Sequence, residues 1–382
     1  MAAVIGVVSS ADPAERRVPL VPDVARKLSA LGAGIVMQRG AARGACLGEA
    51  DYPEVTWVDS AAEVLARADV LWVVDPPPDD LLAGLRPGTV LIGLLQPYAS
   101  AARVQQLQER QVTSFALELL PRISRAQSMD ILSSQGAAAG YQCAVIAAAH
   151  CSKFFPMLTY AAGTIRPARV LVIGAGVAGL QAIATARRLG AVVEAYDVRP
   201  ETREQVESLG ARFVDTGVSA VGAGGYAREL TPEELIQQAA KLARAVAGSD
   251  VLITTAAIPG RRAPVIVTAA MVAGMTAGSV VVDLAAESGG NVEGTVAGQE
   301  VQAGGVRLLG PTHLPSRMPV HTSEMVARNL LNFTAPMLRE GTVQIDWADE
   351  VLAGTVMTHA GEVRHAQVGR ALNLPSPTLQ ER

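Results

Sequence analysis

Residues 169–198 read RVLVIGAGVAGLQAIATARRLGAVVEAYDV. The stretch opens with a short apolar run rich in β-branched residues, which predicts a buried strand. Three glycines at the spacing of a tight turn follow: Gly174, Gly176 and Gly179. A helical pattern then leads to a second strand, which ends at Asp197. This order of elements is typical of the dinucleotide-binding half of a parallel α/β sheet.

Each residue of this pattern has a physical role in holding a dinucleotide. Gly174 permits the tight turn, Gly176 lets the backbone approach a pyrophosphate at the helix N-terminus, and Gly179 allows close packing of helix on strand. Asp197 can accept hydrogen bonds from both ribose hydroxyls and would repel a 2′-phosphate, which favours NAD(H) over NADP(H). Arg199 works against that preference, because a nearby arginine can accommodate the phosphate. The simpler alternative is a glycine-rich turn without a ligand.

The composition of the 382-residue chain excludes several classes of protein. Half of it (49%) is apolar and 18% is charged, with 32 basic and 36 acidic residues, so the chain is neither disordered nor a nucleic-acid binder that depends on overall positive charge. Its length suggests two domains, and its scarcity of aromatic residues (4%) suits an α/β fold. The three cysteines, Cys46, Cys143 and Cys151, show no CxxC spacing, so we expect no disulfide framework or zinc site and a reducing cytoplasm.

The alternation of strand and helix extends over most of the chain. Short apolar strands are predicted at Val4–Val8, Val70–Val74, Val90–Leu95, Val112–Leu117, Val192–Tyr196, Val251–Thr255, Val280–Leu284 and Val306–Leu309. The clearest helix starts after Thr231, where Glu234 completes a capping box. A mostly helical stretch is predicted over 127–162, a further helix over about 323–339, and a mixed tail with a loose polar end over 340–382.

These elements predict an α/β fold of two Rossmann-like domains, each a mainly parallel sheet flanked by helices, with a nucleotide cleft between them. The first domain would be discontinuous, with residues 1–135 and 312–382, and 136–311 would form the nucleotide-binding domain. Two uncharged runs, 131–152 and 263–282, are interrupted by polar or turn residues, so we expect no direct membrane insertion.

A polar segment, PRISRAQSMDILSSQ at residues 121–135, is unusual in this apolar chain. If it is helical from about Ala126, with Arg122 preceding it, one face of the helix carries four polar side chains: Gln127, Asp130, Ser133 and Ser134. The segment falls where the two predicted domains meet, a common place for ligands, although a solvated helix face explains it equally simply. A glycine-rich stretch, 222–226, could close as a lid with Tyr226 or be a plain surface loop.

The 121–135 segment, IGAGVAGLQAIATARRLGAVVEAYDVR, AGGYARE and VVDLAAESGGN at 281–291 together resemble the soluble NAD(H)-binding component of proton-translocating NAD(P)+ transhydrogenases. The resemblance covers nearly the whole chain. It implies that nicotinamide is positioned by Arg122, Gln127, Asp130 and Ser133, and that Tyr226 lies on a mobile loop. It implies further cofactor contacts from Ile123, Ser124, Gly174, Gly176, Val177, Gly179, Asp197, Val198, Arg199, Gly225, Gln238 and Ala257, and no metal.

The same resemblance implies partners and a reaction. The component would be a homodimer of the split-subunit form, and it would donate hydride from NADH to NADP+ held on a partner component. Membrane-spanning and NADP(H)-binding subunits would couple that transfer to proton translocation. The chain would then be cytoplasmic and peripheral to the inner membrane.

Two departures qualify the resemblance. Val8-Ser9-Ser10 stands where the family usually has a Lys-Glu pair, and Val73 lies in the strand region where a lysine is common. The alternatives are an alanine dehydrogenase-like enzyme or a catalytically silent NAD-binding protein. Alanine dehydrogenases resemble the chain at Arg17 and Glu287, but Gln96 and Asp75 occupy their histidine and lysine positions. Hydride exchange between two nicotinamides needs alignment rather than a general base, which fits this residue set.

Overall fold

The computed structural model describes residues 2–220, 228, 230–257, 260 and 262–375. These residues divide into two compact units. Unit 1 consists of the described residues of Met1–Gln135 and Ser316–Arg382, and unit 2 is Gly136–Pro315. Residues 312–315 therefore group with unit 2, although we expected them in the first domain.

Strands and helices alternate in both units. In chain order, the strands of the described ranges are β1 Val4–Val7, β2 Gly34–Gln38, β3 Thr56–Val58, β4 Val70–Val73, β5 Val90–Gly93, β6 Thr113–Ala116, β7 Leu158–Tyr160, β8 Gly163–Ile165, β9 Arg169–Ile173, β10 Val192–Tyr196, β11 Arg212–Phe213, β12 Val251–Thr254, β13 Val280–Asp283, β14 Glu300–Ala303, β15 Val306–Leu309, β16 Leu338–Arg339, β17 Thr342–Val343, β18 Val356–His359 and β19 Glu362–Val363. The helices are α1 Pro22–Ala30, α2 Ala61–Arg67, α3 Asp79–Ala83, α4 Ala101–Glu109, α5 Ile131–His150, α6 Val177–Arg188, α7 Thr202–Ser208, α8 Pro232–Ala247, α9 Ala269–Ala273, α10 Pro319–Thr334, α11 Glu350–Thr355 and α12 Ala366–Leu372.

The sheet of unit 1 has the strand order β19-β18-β6-β5-β4-β1-β2-β3 among its described residues. Strands β1 to β6 pair in parallel, whereas β18 and β19 are antiparallel to their neighbours. Both faces of the sheet are buried: Trp72 packs in the cluster on one face and Leu71 in the cluster on the other. A continuous apolar strand such as β4 is what a parallel sheet covered on both faces requires.

The sheet of unit 2 has the order β11-β10-β9-β12-β13-β15-β14, and β14 is its antiparallel strand. Alternate residues of β9 serve two cores, Val170 and Val172 in one and Leu171 and Ile173 in the other. The α/β fold with two mainly parallel sheets is thus confirmed. Helix α8 also begins as predicted, because Thr231 and Glu234 cap each other's backbone amides.

The predicted helical stretch over 127–162 was wrong at its C-terminal end. Helix α5 ends at His150, and residues 158–165 form the antiparallel hairpin β7–β8. Pro156 precedes this hairpin, and proline removes the amide that a continuing helix would need. The helix predicted over 323–339 is α10, which starts four residues earlier and ends at Thr334.

The tail contributes more to the fold than its mixed sequence predicted. Strand β18 pairs with β6 and extends the sheet of unit 1, so residues 356–358 are buried next to the first βα series. The hydroxyls of Ser114 and Thr358 lie 2.7 Å apart in this pairing, and Thr358 also donates to the Val112 carbonyl. The polar end, 376–382, lies outside the described residues.

Replacing Thr358 with valine tests whether the tail strand stabilises unit 1. The side chain keeps its shape but loses the hydroxyl, which leaves buried partners on β6 unpaired, and we expect a loss of about 1–3 kcal/mol in the free energy of unfolding. Urea denaturation measures it, with Thr342→Val, an exposed hydroxyl on β17, as the control. Equal midpoints for both variants and the unsubstituted protein would contradict the assignment.

Candidate functional site

The glycine-rich turn lies at the switch point of the unit 2 sheet. Strand β9 is flanked by β10 on one side and by β12 on the other, so the chain order reverses at the carboxyl end of β9. Open α/β sheets bind ligands at such points. Helix α6 begins here at Val177, and the amides of its first turn have no acceptors within the helix.

The three glycines differ in what surrounds them. A Cβ on Gly179 would lie 1.8 Å from the Gly174 carbonyl oxygen, and one on Gly174 would lie 2.6 Å from Thr255 Oγ1. A Cβ on Gly176 would meet nothing within 4 Å. Gly174 and Gly179 are therefore needed by the protein itself, whereas the space at Gly176 is open to a ligand. A pyrophosphate is the ligand that this helix N-terminus suits.

Asp197 at the end of β10 ties the turn to its neighbouring strand. Its Oδ2 accepts a hydrogen bond from the Ala175 amide at 2.7 Å. Arg199 donates from its amide and Nε to Oδ1 and from Nη2 to Oδ2, each at 2.8–2.9 Å. Sequence reasoning treated the two side chains separately, but here the guanidinium already covers the carboxylate. Ribose hydroxyls would have to replace Arg199 as donors.

A buried polar network that sequence reasoning did not identify supports the opposite side of the turn. Asp283 accepts from Thr254 Oγ1 and from the Asn291 and Val292 amides. Burial raises the pKa of the Asp283 carboxyl, although these hydrogen bonds act against the rise. The Asn291 side chain accepts from the Ala256 amide and donates to the Ala256 and Pro264 carbonyls. The network therefore fixes the backbone that follows β12, next to the predicted contact Ala257.

The polar segment of unit 1 is folded differently from the helix we predicted. Residues Ser124–Met129 form a 3₁₀ helix, and α5 begins only at Ile131. Asp130 is extended and caps α5, because its carboxylate accepts from the Ser133 amide at 2.9 Å and from Ser133 Oγ at 2.5 Å. Asp130 and Ser133 are thus joined directly, but the common face with Gln127 does not form.

Two helices of the tail hold this segment in place. The Ser128 carbonyl accepts from the side-chain amides of both Asn329 and Asn332 on α10. Asn329 also accepts from Ser134 Oγ at 2.7 Å. Arg125 forms a two-pronged pair with Asp349, which caps α11. The predicted site residues therefore lie on backbone that distant parts of unit 1 position, and no local sequence signal indicated those partners.

The remaining predicted contacts differ in exposure. Arg122, Ser124, Gln127, Val177 and Ala257 are exposed, and Ile123 and Val198 are half-buried. Gln238 is buried on α8 and donates to Tyr196 Oη at 2.6 Å. Gly225 and Tyr226 lie outside the described residues.

A second polar cluster lies at the carboxyl edge of the unit 1 sheet, where β1 and β4 are neighbours and the strand order reverses. Arg17 is buried there and donates to Glu15 and Gln135. Burial acts to raise the pKa of Glu15, but Arg17 holds it at about 2. Burial and the charge of Glu15 raise the pKa of Asp75 to about 7. The pair therefore shares one proton near neutral pH, and Asp75 carries it.

Comparison with known proteins places these features in one family. The family model described as alanine dehydrogenase/PNT, N-terminal domain matches residues 6–139, and the C-terminal domain model matches residues 143–366. The first of the two-part NAD(P) transhydrogenase alpha subunits of Rhodospirillum rubrum is 44% identical over 366 residues, which cover 92% of this chain and 95% of that protein. The alanine dehydrogenase of Mycolicibacterium smegmatis is 25% identical over 97% of both chains.

Solved structures agree with the sequence comparison. The transhydrogenase from Sinorhizobium meliloti superimposes with a TM-score of 0.84 at 40% identity, over 95% of this chain and 99% of that one. None of the helices in the described ranges combines the length and apolar composition that a membrane crossing needs.

Paired glycine substitutions distinguish ligand space from packing. Gly176→Ala should leave the melting temperature nearly unchanged, because its φ of −76° suits alanine and its surroundings are open. It should weaken NADH binding about tenfold or more, because a methyl group would stand where the backbone approaches a pyrophosphate. Gly179→Ala should destabilise unit 2 by about 1–3 kcal/mol through overpacking.

Fluorescence titration with NADH and thermal unfolding of both variants measure the two effects. Gly136→Ala is the control, since its Cβ also meets nothing within 4 Å but it lies away from the turn, on α5. NADH affinity that Gly176→Ala leaves intact would disprove the assignment of this space to a ligand.

Proposed function

The chain belongs to the alanine dehydrogenase/PNT family, and on that premise we propose that it is the NAD(H)-binding component of an NAD(P) transhydrogenase. The observation that carries the proposal is its 44% identity to a protein named as the first portion of a transhydrogenase alpha subunit, matched over 95% of that protein's length. An intact glycine turn with open space at Gly176 supports it, because a dinucleotide needs that space.

We place the adenosine half of NAD(H) on unit 2. The first turn of α6 offers unpaired amides and a positive dipole end to the pyrophosphate. Asp197 would take the ribose hydroxyls once Arg199 moves off its carboxylate. A 2′-phosphate would meet the same carboxylate, and we therefore propose NAD(H) rather than NADP(H) as the cofactor of this chain.

The nicotinamide half falls to the polar segment of unit 1 in this proposal. Bound NADH supplies the hydride, and the protein has only to orient the ring and exclude water. Gln127 and Arg122 are exposed and available for ring contacts, while the Asp130–Ser133 pair is fixed at the start of α5. The lid role of Tyr226 stays a prediction.

The hydride acceptor would be NADP+ on a partner component. Transfer between two nicotinamides leaves no proton to be handled at the reacting carbons, so proton translocation would arise from the membrane-spanning subunits. We propose that this chain acts at the cytoplasmic face of the inner membrane, attached through those partners.

We also propose a homodimer formed through the hairpin β7–β8. This two-stranded sheet exposes Tyr160 (58%), and the preceding Met157 is 62% exposed. A hairpin of two strands is marginal in water unless something covers it, and apolar patches of this kind mark protein contacts. A second copy of the chain is the partner that closed two-fold symmetry favours.

An alanine dehydrogenase activity is the weaker candidate. Gln96 offers an amide and Asp75 a carboxyl group at the positions where a histidine and a lysine would handle the amino acid. Neither supplies the cationic proton donor that an amino-acid substrate would need, and Arg17 is already engaged by Glu15. We therefore expect no reduction of NAD+ by alanine.

Single-turnover hydride transfer tests the proposed function. NADH bound to this chain should reduce an NADP+ analogue only when a transhydrogenase component that binds NADP(H) is added. Gln127→Asn should slow that step about tenfold or more and change NADH affinity little, since shortening the side chain misplaces the ring rather than the adenosine half. Gln105→Asn, on the exposed face of α4, is the matched control. Transfer to the analogue without a partner, or alanine oxidation by the chain alone, would contradict the proposal.

Charged substitutions on the hairpin test the dimer. Tyr160→Asp and Met157→Asp should each shift the protein from dimer to monomer, because an ionised carboxylate cannot be buried without a partner. Light scattering after gel filtration reads the mass. Val296→Asp, an exposed apolar position elsewhere on unit 2, should leave the dimer intact. A dimer that survives both hairpin variants would place the interface elsewhere.

A further inference from the structure

The cluster around Arg17 occupies the position where a unit 1 ligand would be expected. Strand β1 leads towards β2 and β3 on one side of the sheet, and β4 begins the other side. The loop that follows β1 carries Glu15 and Arg17, and Asp75 lies two residues after β4. Both therefore lie at the carboxyl edge where the strand order reverses, which is the general ligand position in this architecture.

A buried guanidinium at such an edge is a receptor for carboxylates, because its planar fork matches two carboxylate oxygens. Here the fork is occupied from within the protein. Glu15 accepts from Arg17 Nε at 2.8 Å and from Nη2 at 2.5 Å. Gln135 accepts from Nη1 at 2.9 Å. Glu15 is fixed in turn by Ser316 Oγ, which donates to it at 2.8 Å.

Asp75 completes the shell on its more open side. Its Oδ1 lies 3.6 Å from Arg17 Nη2, and its side chain is 32% exposed whereas those of Arg17 and Glu15 are almost fully buried. Glu15 already balances the charge of Arg17. The carboxyl group of Asp75 is therefore surplus to the ion pair and stands where an external carboxylate would have to approach.

We propose that Asp75 is a specificity-determining residue that occupies Arg17 as a built-in carboxylate and bars small carboxylic acids, the 2-oxo acids and amino acids, from the edge of unit 1. An approaching carboxylate meets like charge from Asp75 and Glu15, and a like charge placed directly opposite is a strong means of rejecting a ligand. This inference is independent of the proposed hydride transfer, because it concerns carboxylate binding to unit 1 without nucleotide.

Removing Asp75 is not expected to unfold the protein. The buried pair of Arg17 and Glu15 stays intact, so no buried charge loses its partner. The folded protein holds a proton on Asp75 up to about pH 7, whereas the unfolded chain releases it near the ordinary pKa of 3.8. The stability that this proton contributes is present at low pH and is lost as the pH rises to about 7.

The groups that act on Asp75 are Glu15, Arg17 and Asp12, and its own element supplies no cation. Asp75→Asn should consequently gain stability relative to the unsubstituted protein between about pH 5 and pH 8, measured by urea midpoints. A difference that does not change with pH would show that Asp75 is ionised at both values and would remove the shared proton from this account.

Chemical rescue tests the specificity role. Asp75→Ala leaves a space of carboxylate size beside Arg17, so acetate and pyruvate should bind this variant about tenfold or more tightly than they bind the unsubstituted protein. Isothermal titration of the full chain with each acid, without NADH, reads the affinities. Asp59→Ala, which removes an exposed carboxylate next to β3, controls for a general change in charge.

The double variant Asp75→Ala with Arg17→Lys keeps the charge opposite Glu15 but loses the planar fork, and the gained binding should disappear. Gained binding in Asp75→Ala that this double variant abolishes supports the proposal. Three results overturn it: binding of the acids to the unsubstituted protein as tightly as to Asp75→Ala, no binding to folded Asp75→Ala or Asp75→Asn, or gained binding that survives in the double variant.

Discussion

The contact between Gly179 and the Gly174 carbonyl is the constraint on which the nucleotide site depends. With any side chain at Gly179 the start of α6 could not lie against the end of β9, since even a Cβ would come within 1.8 Å of that oxygen. The close contact directs the first turn of α6 at the switch point of the sheet. Asp197 then holds the Ala175 amide and Asn291 holds the backbone after β12, so both neighbours of the turn are fixed.

Much of this was predictable from sequence, because buried parallel strands are continuous apolar runs. Val192–Tyr196 and Val306–Leu309 were predicted to the residue, and the capping box at Thr231 located α8. These features depend on neighbours within a few residues. The nucleotide turn belongs to the same class, since its glycines and its acid follow one another along a single βαβ unit.

What the sequence did not reveal depends on distant partners. Strand β18 is buried because it pairs with β6, some 240 residues earlier in the chain, which its mixed composition did not indicate. Asp130 looked like one member of a helical polar face, yet its carboxylate caps α5. Arg199 appeared only as a neighbour of Asp197, and its fork on that carboxylate becomes visible in three dimensions. The two units thus share one arrangement: an arginine already paired with a carboxylate at the edge where the sheet reverses.

The most direct test of the account is a crystal structure of the protein with NADH bound. The account predicts the pyrophosphate within hydrogen-bonding distance of the Gly176 and Val177 amides, with Arg199 displaced from Asp197 by the ribose. NADH bound away from the start of α6, or bound there with the Arg199–Asp197 pair undisturbed, would contradict it.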